Sequence, residues 1–275
     1  MNKQFFENKT ILITGGTGSL GKAIIKNLKQ FNCKIIVYSR DEGKQALAFG
    51  NDPSIIRVIG DVRDFEKINT TLSIHKPDYV IHTGALKRVD DMEFYPDECV
   101  KTNIQGSENV ARASLLNNVK KCILVSTDKA CQPINVYGSS KFIAERIFTN
   151  YDYNSKSTIF SSVRYGNVIA SRGSFIPLWM DLVSKGEKIK VTSMDCTRFL
   201  FPLTDAVETV LNSLFYAEGG EVFIPNINSF KMENIIKSVG KIMDIGKLEF
   251  NSSLHNNDSI DDLITIIKKG LYDAN

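Results

Sequence analysis

Six polar side chains that can bind or move a proton lie within sixteen residues of the stretch CILVSTDKACQPINVYGSSKFIAERI. The six residues are Ser126, Thr127, Asp128, Lys129, Tyr137 and Lys141. The stretch begins as an apolar strand-like run and ends as a helix-like run. Tyr137 and Lys141 are four positions apart on the predicted helix and share one face. Because a nearby ammonium favours a phenolate, this pair predicts a general base for a substrate hydroxyl, which Thr127 can hydrogen-bond.

A second motif, ILITGGTGSLGKAII, has the spacing of a phosphate-binding turn. Three of its glycines, Gly15, Gly18 and Gly21, form G-x-x-G-x-x-G between a predicted strand and a predicted helix. The first allows a tight turn, the second lets the backbone approach a pyrophosphate, and the third lets helix and strand pack closely. The helix N-terminus offers free N–H groups to the phosphates. A purely structural glycine turn is the alternative. The predicted dinucleotide-binding residues are Gly15, Thr17, Gly18, Ser19, Leu20 and Gly21.

The sequence YSRDEGK, at the end of the next predicted strand, bears on the choice of dinucleotide. An NAD site usually places an acidic residue there for the ribose 2′-OH. Here Ser39 and Arg40 occupy that point, and Arg40 and Lys44 can pair with a 2′-phosphate. We therefore expect NADP in preference to NAD. Asp41 argues for NAD, and a solvated charged loop is a further alternative. After the third predicted strand, Asp61 can accept a hydrogen bond from an adenine amino group.

These motifs lie on a regular alternation of short β-branched runs and amphipathic helices. The predicted strands are Thr10–Thr14, Cys33–Tyr38, Ile55–Gly60, Tyr79–His82, Lys121–Ser126 and Thr158–Arg164. The predicted helices are Gly18–Gln30, Phe65–His75, Val100–Asn117 and Tyr137–Thr149, with further helices near Phe175–Lys185, Leu203–Ala217, Lys231–Met243 and Ser259–Lys269. Apolar strands each followed by a helix indicate an α/β fold with a doubly wound parallel sheet.

The alternation fades after residue 172, which sets the predicted domain organisation. We expect a dinucleotide-binding Rossmann domain at 1–172 and a smaller, mostly helical substrate-binding lobe at 173–275. The lobe is expected to interleave with the first domain, over the sheet edge where doubly wound folds bind ligands.

Composition excludes several other classes. The 275 residues are 43% hydrophobic and 24% charged, and a net charge of +3 is too weak and scattered for a nucleic-acid groove. The five cysteines include no CxxC pair and the three histidines have no ligand spacing, so we expect free thiols in a reducing compartment and no metal. Without a long apolar run or a signal peptide, we expect a cytoplasmic protein that does not span a membrane.

The glycine turn, Thr127 and the Tyr137–Lys141 pair together resemble the extended short-chain dehydrogenase/reductase family, from about Thr10 to Val239. In a simple alcohol dehydrogenase, Asp128 and Lys129 have no task and are solvated loop charges. In a dehydratase they have one. Oxidation at C4 of a hexose makes H5 acidic, and loss of water across C5–C6 then needs a base at C5 and an acid at the 6-hydroxyl. A buried neutral lysine is such a base, and a protonated aspartic acid is such an acid.

Longer motifs narrow the resemblance. The segments TGGTGSLG, YSRDEGKQ, DVRD, ALKRV, TNIQGSENV, VSTDKACQPINVYGSSK, RYGNVIASRGSFIP and CTRF are similar to those of the inverting UDP-N-acetylglucosamine 4,6-dehydratases. These lyases epimerise C5 and begin pathways to pseudaminic acid and related L-sugars of surface glycans. Retaining relatives carry Asp–Glu at Asp128–Lys129, and membrane-bound relatives carry Met at Tyr137, so the resemblance implies the soluble inverting form. It also implies that Lys129 removes H5 and that a tightly bound NADP is regenerated in each turnover.

The resemblance assigns further residues. Those implied near the cofactor are Val62, Ala85, Leu86, Lys87, Asn103, Tyr137, Lys141 and Tyr165. Those implied to hold the UDP-sugar substrate are Lys87, Asn167, Val168, Ser174 and Arg198. Arg198 would bind the diphosphate through its planar fork, with an ion pair to Asp195 as the alternative.

Two departures from the family pattern stand in the sequence. Thr83 and Gly84 replace an Ala–Ala pair, and MDIGKLEFNSSLHNNDSIDD replaces a segment with an Arg-Pro-Gly-Glu-Lys run that holds phosphate and uridine in relatives. Lys247 can replace part of that grip. The alternatives are a nucleotide-sugar 4-epimerase or 4-ketoreductase of the same fold, or a catalytically idle nucleotide-sugar-binding protein. Since relatives are dimers or larger, we expect a homo-oligomer.

Overall fold

The structure, a computed structural model, describes residues 3–50, 52–169, 174–187, 189, 193–243, 263, 266–269 and 271. The chain divides into two compact units. The first unit consists of Met1–Tyr165 and Val207–Pro225, and the second of Gly166–Ala206 and Asn226–Asn275. The sequence analysis placed one boundary after residue 172, whereas in the structure the chain returns to the first unit for Val207–Pro225.

The strands, in chain order, are β1 Thr10–Thr14, β2 Lys34–Ser39, β3 Ile55–Ile59, β4 Tyr79–His82, β5 Lys121–Val125, β6 Ile159–Val163, β7 Asn167–Val168, β8 Thr197–Phe201, β9 Val222–Phe223 and β10 Ser229–Lys231. Seven of them form the sheet of the first unit in the order β3-β2-β1-β4-β5-β6-β9, and each of its strand pairs is parallel. The predicted doubly wound parallel sheet is confirmed. The six predicted strands are present, with ends within one residue of the prediction.

The α-helices, in chain order, are α1 Lys3–Phe6, α2 Ser19–Leu28, α3 Glu42–Phe49, α4 Phe65–His75, α5 Val89–Phe94, α6 Pro96–Cys99, α7 Gly106–Leu116, α8 Val136–Asn154, α9 Phe175–Ser184, α10 Leu203–Tyr216 and α11 Met232–Ile242. The single helix predicted over Val100–Asn117 is instead a π-helical turn at Val100–Gln105 followed by α7. Helix α3 was not predicted. The predicted helix near Ser259–Lys269 lies partly outside the described residues.

Alternate side chains of the central strands enter two separate apolar cores, one on each face of the sheet. Ile11 and Ile13 of β1 belong to the first core, whereas Leu12 between them belongs to the second. Burial of both faces is the reason that these strands read as continuous apolar runs. Leu211 and Leu214 of α10 are also part of the first core, which accounts for the return of the chain to this unit.

The second unit has its own sheet and its own core. Strand β8 pairs antiparallel with β10 and parallel with β7. Helix α11 begins directly after β10, and its buried residues pack with Trp179 of α9 in one apolar cluster. This unit therefore contains short strands in a lobe that was predicted to be mostly helical.

Candidate active site

The glycine turn lies where the strand order of the main sheet reverses, because β1 pairs with β2 on one side and β4 on the other. Gly15 has a φ of 67°, and a Cβ at this position would lie 2.8 Å from the Cα of Gly84, in the segment that follows β4. The N–H of Gly15 donates to the carbonyl of Tyr38 at 2.9 Å. A reversal of this kind is where open α/β sheets bind ligands.

The turn has the form of a phosphate site. A Cβ at Gly21 would lie 2.6 Å from the Cα of Gly16, so this glycine lets α2 pack directly on the turn. At Gly18, the nearest atom to a Cβ would be the Gly15 carbonyl oxygen at 3.2 Å. Gly18 occupies the N-cap without a side chain, which leaves the first N–H groups of α2 open to an anion. The other predicted contacts in this motif are Thr17, Ser19 and Leu20. These residues fit the pyrophosphate of a dinucleotide.

The two cations predicted to bind a 2′-phosphate, Arg40 and Lys44, lie just after the end of β2 and have different partners. The side chain of Arg40 is 54% exposed, and its Nη1 lies 3.6 Å from Oδ2 of Asp61. Lys44 is paired with Asp41, whose Oδ2 is 2.5 Å from Nζ. Asp41 Oδ1 also accepts the Lys44 N–H at 2.8 Å as the N-cap of α3. Asp41 and Lys44 thus stabilise the start of α3.

Hydrogen bonds and packing hold the loop after β3 beside the end of β2. The Tyr38 hydroxyl donates to the Asp61 carbonyl at 2.9 Å. Gln45 Nε2 donates to the carbonyl and the hydroxyl of Ser39 at 2.9 and 3.0 Å. Val62 is buried, and a Cβ at Gly106 would lie 2.7 Å from its Cγ2. Ser39 and Asp61, two of the predicted cofactor contacts, therefore lie at neighbouring strand ends, and Val62 follows Asp61.

Thr127, Asp128 and Lys129 form one short turn after β5. A 3₁₀-helical turn covers Asp128–Ala130, and Thr127 is its N-cap. The Thr127 hydroxyl donates to Asp128 Oδ1 at 2.9 Å, and Lys129 Nζ lies 3.0 Å from the same oxygen. The Asp128 and Lys129 side chains are 27% and 31% exposed. The candidate acid and base are thus an ion pair that remains accessible to a small molecule.

Helix α8 supplies Tyr137 and Lys141 from its first two turns. Asn135 caps the helix, since its Oδ1 accepts the N–H of Gly138 at 2.7 Å. The Tyr137 hydroxyl lies close to the Thr127 side chain, near enough for Thr127 to affect its titration. The structure therefore brings the predicted general base onto the residue that precedes the Asp128–Lys129 pair.

The titration of this pair is set mainly by burial. Burial raises the pKa of Tyr137 to about 12, and the neighbouring Thr127 side chain opposes the rise. Burial lowers the pKa of Lys141 to about 8, and the charges of Glu145 and Cys99 oppose the fall. Tyr165 also has a raised pKa, because it is buried and faces Tyr137. The neutral phenol is favoured in this state, so a further positive charge is needed to produce the phenolate.

Glu145 and Arg164 are part of this region although the sequence analysis gave neither a role. Arg164 Nε donates to Glu145 Oε1 at 2.9 Å, and Nη2 donates to Oε2 at 2.5 Å. Ser126, one of the six residues first singled out, donates its hydroxyl to the same carboxylate. The available signal was spacing, because Tyr137, Lys141 and Glu145 follow one another at intervals of four residues.

Asn103 ties the segment after β4 to α8. It is fully buried on the π-helical turn, a feature that is frequent at functional sites. Its Oδ1 accepts the Leu86 N–H at 2.8 Å, and its Nδ2 donates to the Leu86 carbonyl at 2.9 Å and to Ser140 Oγ at 3.0 Å. Ala85 and Lys87 flank Leu86 and are positioned by the same bonds. Partial burial lowers the pKa of Lys87.

His82, at the end of β4, is a buried polar residue to which the sequence analysis gave no role in the site. Its Nδ1 lies 2.6 Å from Thr14 Oγ1, and its Nε2 lies 3.0 Å from Ser107 Oγ. Since the Ser107 hydroxyl donates to the Asn103 carbonyl at 2.6 Å, it accepts from Nε2–H. Burial lowers the pKa of His82 to about 3, with the charge of Lys141 as a second cause. His82 is therefore a neutral connector between β1 and the π-helical turn.

The predicted substrate contacts Asn167, Val168, Ser174 and Arg198 all lie in the second unit. Asn167 and Val168 form β7, which pairs with the end of β8. Asn167 Oδ1 and Ser174 Oγ are buried and have no hydrogen-bond partner in the described part of the chain. Arg198 is exposed on β8, and its Nη1 donates to the carbonyl of Thr197 at 2.8 Å. Lys247 lies outside the described residues.

Three features concern other chemistry. All five cysteines are free thiols, and burial raises the pKa of Cys33 to about 11 and that of Cys122 to about 12. Within the described ranges, the His, Cys, Asp and Glu side chains form no group of three or more that could hold a metal ion. Among the helices described, none has the length and apolar character needed to cross a membrane.

Comparison with known proteins agrees with this fold. Residues 11–259 match the family described as "Polysaccharide biosynthesis protein". The chain is 45% identical over 239 residues to a UDP-N-acetylglucosamine 4,6-dehydratase (inverting) of Campylobacter jejuni, a match that covers 84% of this chain and 70% of that protein. It is 39% identical to a UDP-glucose 4-epimerase of Rickettsia bellii, with 94% of this chain and 79% of that protein covered.

A solved structure is also similar to this chain in both fold and sequence. Pen from Bacillus thuringiensis matches with a TM-score of 0.85 at 35% identity, over 89% of this chain and 79% of that one. The family match spans most of the described sheet and both parts of the second unit. The protein therefore belongs to the polysaccharide biosynthesis protein family, within the extended short-chain dehydrogenase/reductases.

Proposed function

We propose that this protein is an NADP-dependent nucleotide-sugar 4,6-dehydratase that also inverts C5. Its substrate is UDP-N-acetylglucosamine, and its product is UDP-2-acetamido-2,6-dideoxy-β-L-arabino-4-hexulose, a precursor for glycan synthesis. The observation that carries the proposal is the Asp128–Lys129 pair, which shares one turn with Thr127 and adjoins Tyr137. The name of the Campylobacter jejuni relative supports it.

Tyr137 acts on the 4-hydroxyl of the sugar. As the phenolate it takes the hydroxyl proton, while Thr127 holds the same oxygen by a hydrogen bond. Lys141, one helical turn further along α8, stabilises the phenolate through its ammonium charge. Because the Tyr137 pKa is about 12 before a ligand binds, a second cation beside it is required.

Asp128 and Lys129 carry out the elimination. Lys129 as the free amine takes H5 and becomes the ammonium, and Asp128 as the carboxylic acid gives its proton to the departing 6-hydroxyl, which leaves as water. The C5–H and C6–O bonds break and a C5–C6 double bond forms. One proton shift from Lys129 to Asp128 across their 3.0 Å contact converts the ion pair into this neutral acid and base. A proton from water is delivered to the opposite face of C5 and gives the L-configuration. The proton on Lys129 then returns to Asp128, and the proton on Tyr137 neutralises the hydroxide left by the water.

The dinucleotide would be held by the glycine turn, with Arg40 at the 2′-phosphate and Asp61 at the adenine. The N-cap at Gly18, which provides no side-chain cap, supports this. When bound, a nicotinamide supplies a hydride acceptor for C4 and a hydride donor for C6. Arg40 is the reason for proposing NADP, because it remains half exposed whereas Lys44 is paired with Asp41.

The second unit would bind the nucleotide and sugar. Asn167 Oδ1 and Ser174 Oγ are buried acceptors without a partner among the described residues, as expected of groups that a ligand satisfies. Arg198 is exposed and carries the planar fork that suits a diphosphate. We also propose a homo-oligomer, because Phe142 and Ile143 of α8 are 39% and 42% exposed.

A nucleotide-sugar 4-epimerase is the second candidate, favoured by the name of the Rickettsia bellii relative. The two activities separate in one assay. Purified protein is incubated without added cofactor with UDP-N-acetylglucosamine or UDP-glucose, and products are followed by proton NMR. A new C6 methyl signal from UDP-N-acetylglucosamine is expected. Formation of the C4 epimer of either substrate without a methyl signal would replace the proposal with the epimerase.

A further inference from the structure

Glu145 is a buried carboxylate that joins three elements of the first unit. It lies on α8, and its side chain has no exposed surface. Arg164, directly after β6, binds both of its oxygens. Ser126, directly after β5, donates to Oε1. Removing one partner of such a buried ion pair is far more costly than losing an exposed pair, so these bonds hold α8 firmly against two neighbouring strand ends.

The residues next to these two anchors are those that meet Tyr137. Thr127 follows Ser126 and lies close to the Tyr137 hydroxyl. Tyr165 follows Arg164, and its carbonyl accepts the N–H of Asp128 at 3.0 Å. The strand ends that bind Glu145 thus also carry the groups around the phenol. Because Tyr137 and Glu145 are on one rigid helix, the Glu145 bonds determine where Tyr137 lies relative to Thr127.

Glu145 also acts on Lys141, one helical turn away. The charged and titratable groups that interact with Lys141 are Glu145 on α8, Cys99 at the end of α6, and His82 on β4. Glu145 is the group among these whose charge most favours the ammonium of Lys141, against the burial that disfavours it. Arg164 offsets part of the Glu145 charge from the other side.

We propose that Glu145 is a positioning residue of the active site. It sets the register of α8 against β5 and β6, and it supplies the negative charge that keeps Lys141 protonated. The assignment rests on the proposed function only in taking Tyr137 and Lys141 as the working pair. It adds Glu145 to the residues that position Tyr137 and Lys141, and it assigns Ser126 and Arg164 the role of holding Glu145 in place.

The test compares Glu145→Gln, which removes the charge and keeps the shape, with Glu145→Asp, which keeps the charge. Glu108→Gln on the exposed face of α7 is the matched control. The first measurement needs no substrate. The pKa of Lys141 is read from the side-chain NMR signals of the lysine-labelled holoenzyme, and Lys141→Arg identifies the signal. Glu145→Gln should lower this pKa by about one pH unit, and Glu145→Asp should restore most of it.

The second measurement is steady-state kinetics. Glu145→Gln should lower kcat about tenfold or more at neutral pH and leave KM within about threefold, since the substrate contacts are unchanged. The alkaline limb of the rate profile should move down with the Lys141 pKa. The Glu108→Gln protein should match the wild type in both measurements.

A double variant guards against failure to fold. Glu145→Gln combined with Arg164→Gln leaves no unpaired buried charge and should retain the fold. It should still show a reduced kcat and a Lys141 pKa below that of the wild type, by less than in Glu145→Gln because the Arg164 charge is lost as well. An unchanged Lys141 titration and pH profile in this variant would overturn the proposal and make Glu145 a structural residue. If the wild type forms no methyl product while the Lys141 pKa still shifts with Glu145, the positioning role stands and the dehydratase assignment fails.

Discussion

Gly138 lies against the carbonyl oxygen of Lys129, so closely that a Cβ at Gly138 would be 2.3 Å from that atom. The contact joins the first turn of α8 to the short turn that carries Asp128 and Lys129. The absence of a side chain at one position therefore lets the candidate general base and the candidate elimination pair lie beside each other.

Replacing Gly138 with alanine should separate these two groups. The Cβ meets backbone, so the 128–130 turn or the start of α8 must move, and misplacement of this kind costs about 100-fold in kcat/KM. Gly43→Ala, an exposed helical position whose Cβ would lie 3.5 Å from the nearest atom, is the control and should keep full activity. Wild-type kinetics in Gly138→Ala would show that the contact has no role in the reaction.

Variants at Tyr137 and Lys129 should block different steps of the reaction. Tyr137→Phe removes the base for the 4-hydroxyl and should lower the whole reaction about 10²- to 10⁴-fold. Lys129→Ala should still allow oxidation at C4 but block loss of water. Rapid mixing with UDP-N-acetylglucosamine, followed by ultraviolet absorbance, should then show reduced nicotinamide accumulating in Lys129→Ala alone. Equal absorbance traces for the two variants would contradict the division of roles.

The pH dependence should report Lys141. Its pKa is lowered to about 8, so the ammonium that favours the phenolate is lost as pH rises through this value. We expect kcat/KM to fall on the alkaline side with an apparent pKa near 8. Arginine stays charged at all pH values of the assay. The activity that Lys141→Arg retains should therefore no longer fall at alkaline pH. An alkaline limb that persists in Lys141→Arg belongs to another group.

Arg40 should decide the preference between NADP and NAD. Loss of one exposed cation at a 2′-phosphate should weaken NADP binding about tenfold and leave NAD binding nearly unchanged. Arg57→Ala, an exposed arginine on β3, is the matched control. The measurement is titration calorimetry of each dinucleotide with protein stripped of cofactor. If Arg40→Ala weakens the binding of NADP and NAD equally, Arg40 does not contact the 2′-phosphate.

His82 should make stability depend on pH. Its folded-state pKa of about 3 lies below the ordinary 6.5, so between these values the unfolded chain holds a proton that the folded chain lacks. The free energy of unfolding should therefore fall as the pH falls, by at most about 1.4 kcal/mol per pH unit from this residue. Urea unfolding at a series of pH values gives the dependence of the free energy of unfolding on pH. For His82→Gln, this dependence should be shallower by the uptake of about one proton. His75→Gln, at a more exposed histidine, should change the slope less.

The sequence predicted those parts of the site that are local in the chain. The glycine turn, the Thr127–Lys129 run and the Tyr137–Lys141 pair each depend on spacings of a few residues within one strand–turn–helix segment. The sheet was predicted for the same reason, because strands buried on both faces are continuous apolar runs.

The remaining parts join residues that are distant in sequence. Glu145 and Arg164 are nineteen positions apart, and His82 bonds to Thr14 across sixty-eight. No spacing rule connects such residues, because the pairing is made by neighbouring strand ends. Lys44 shows the opposite problem. Its place in the sequence suits a phosphate contact, yet in the structure it lies in the first turn of α3 and forms an ion pair with Asp41, the cap of that helix.

The most direct test of the central claim, that Asp128 and Lys129 dehydrate the sugar and invert C5, is a proton NMR time course in D₂O. Wild-type protein is mixed with UDP-N-acetylglucosamine and no added cofactor. We predict a new C6 methyl signal, deuterium at C5 and couplings of the L-arabino ring, all absent with Lys129→Ala. A methyl signal with D-xylo couplings would contradict inversion by Lys129, and no methyl signal from wild-type protein that binds the substrate would contradict the dehydratase itself.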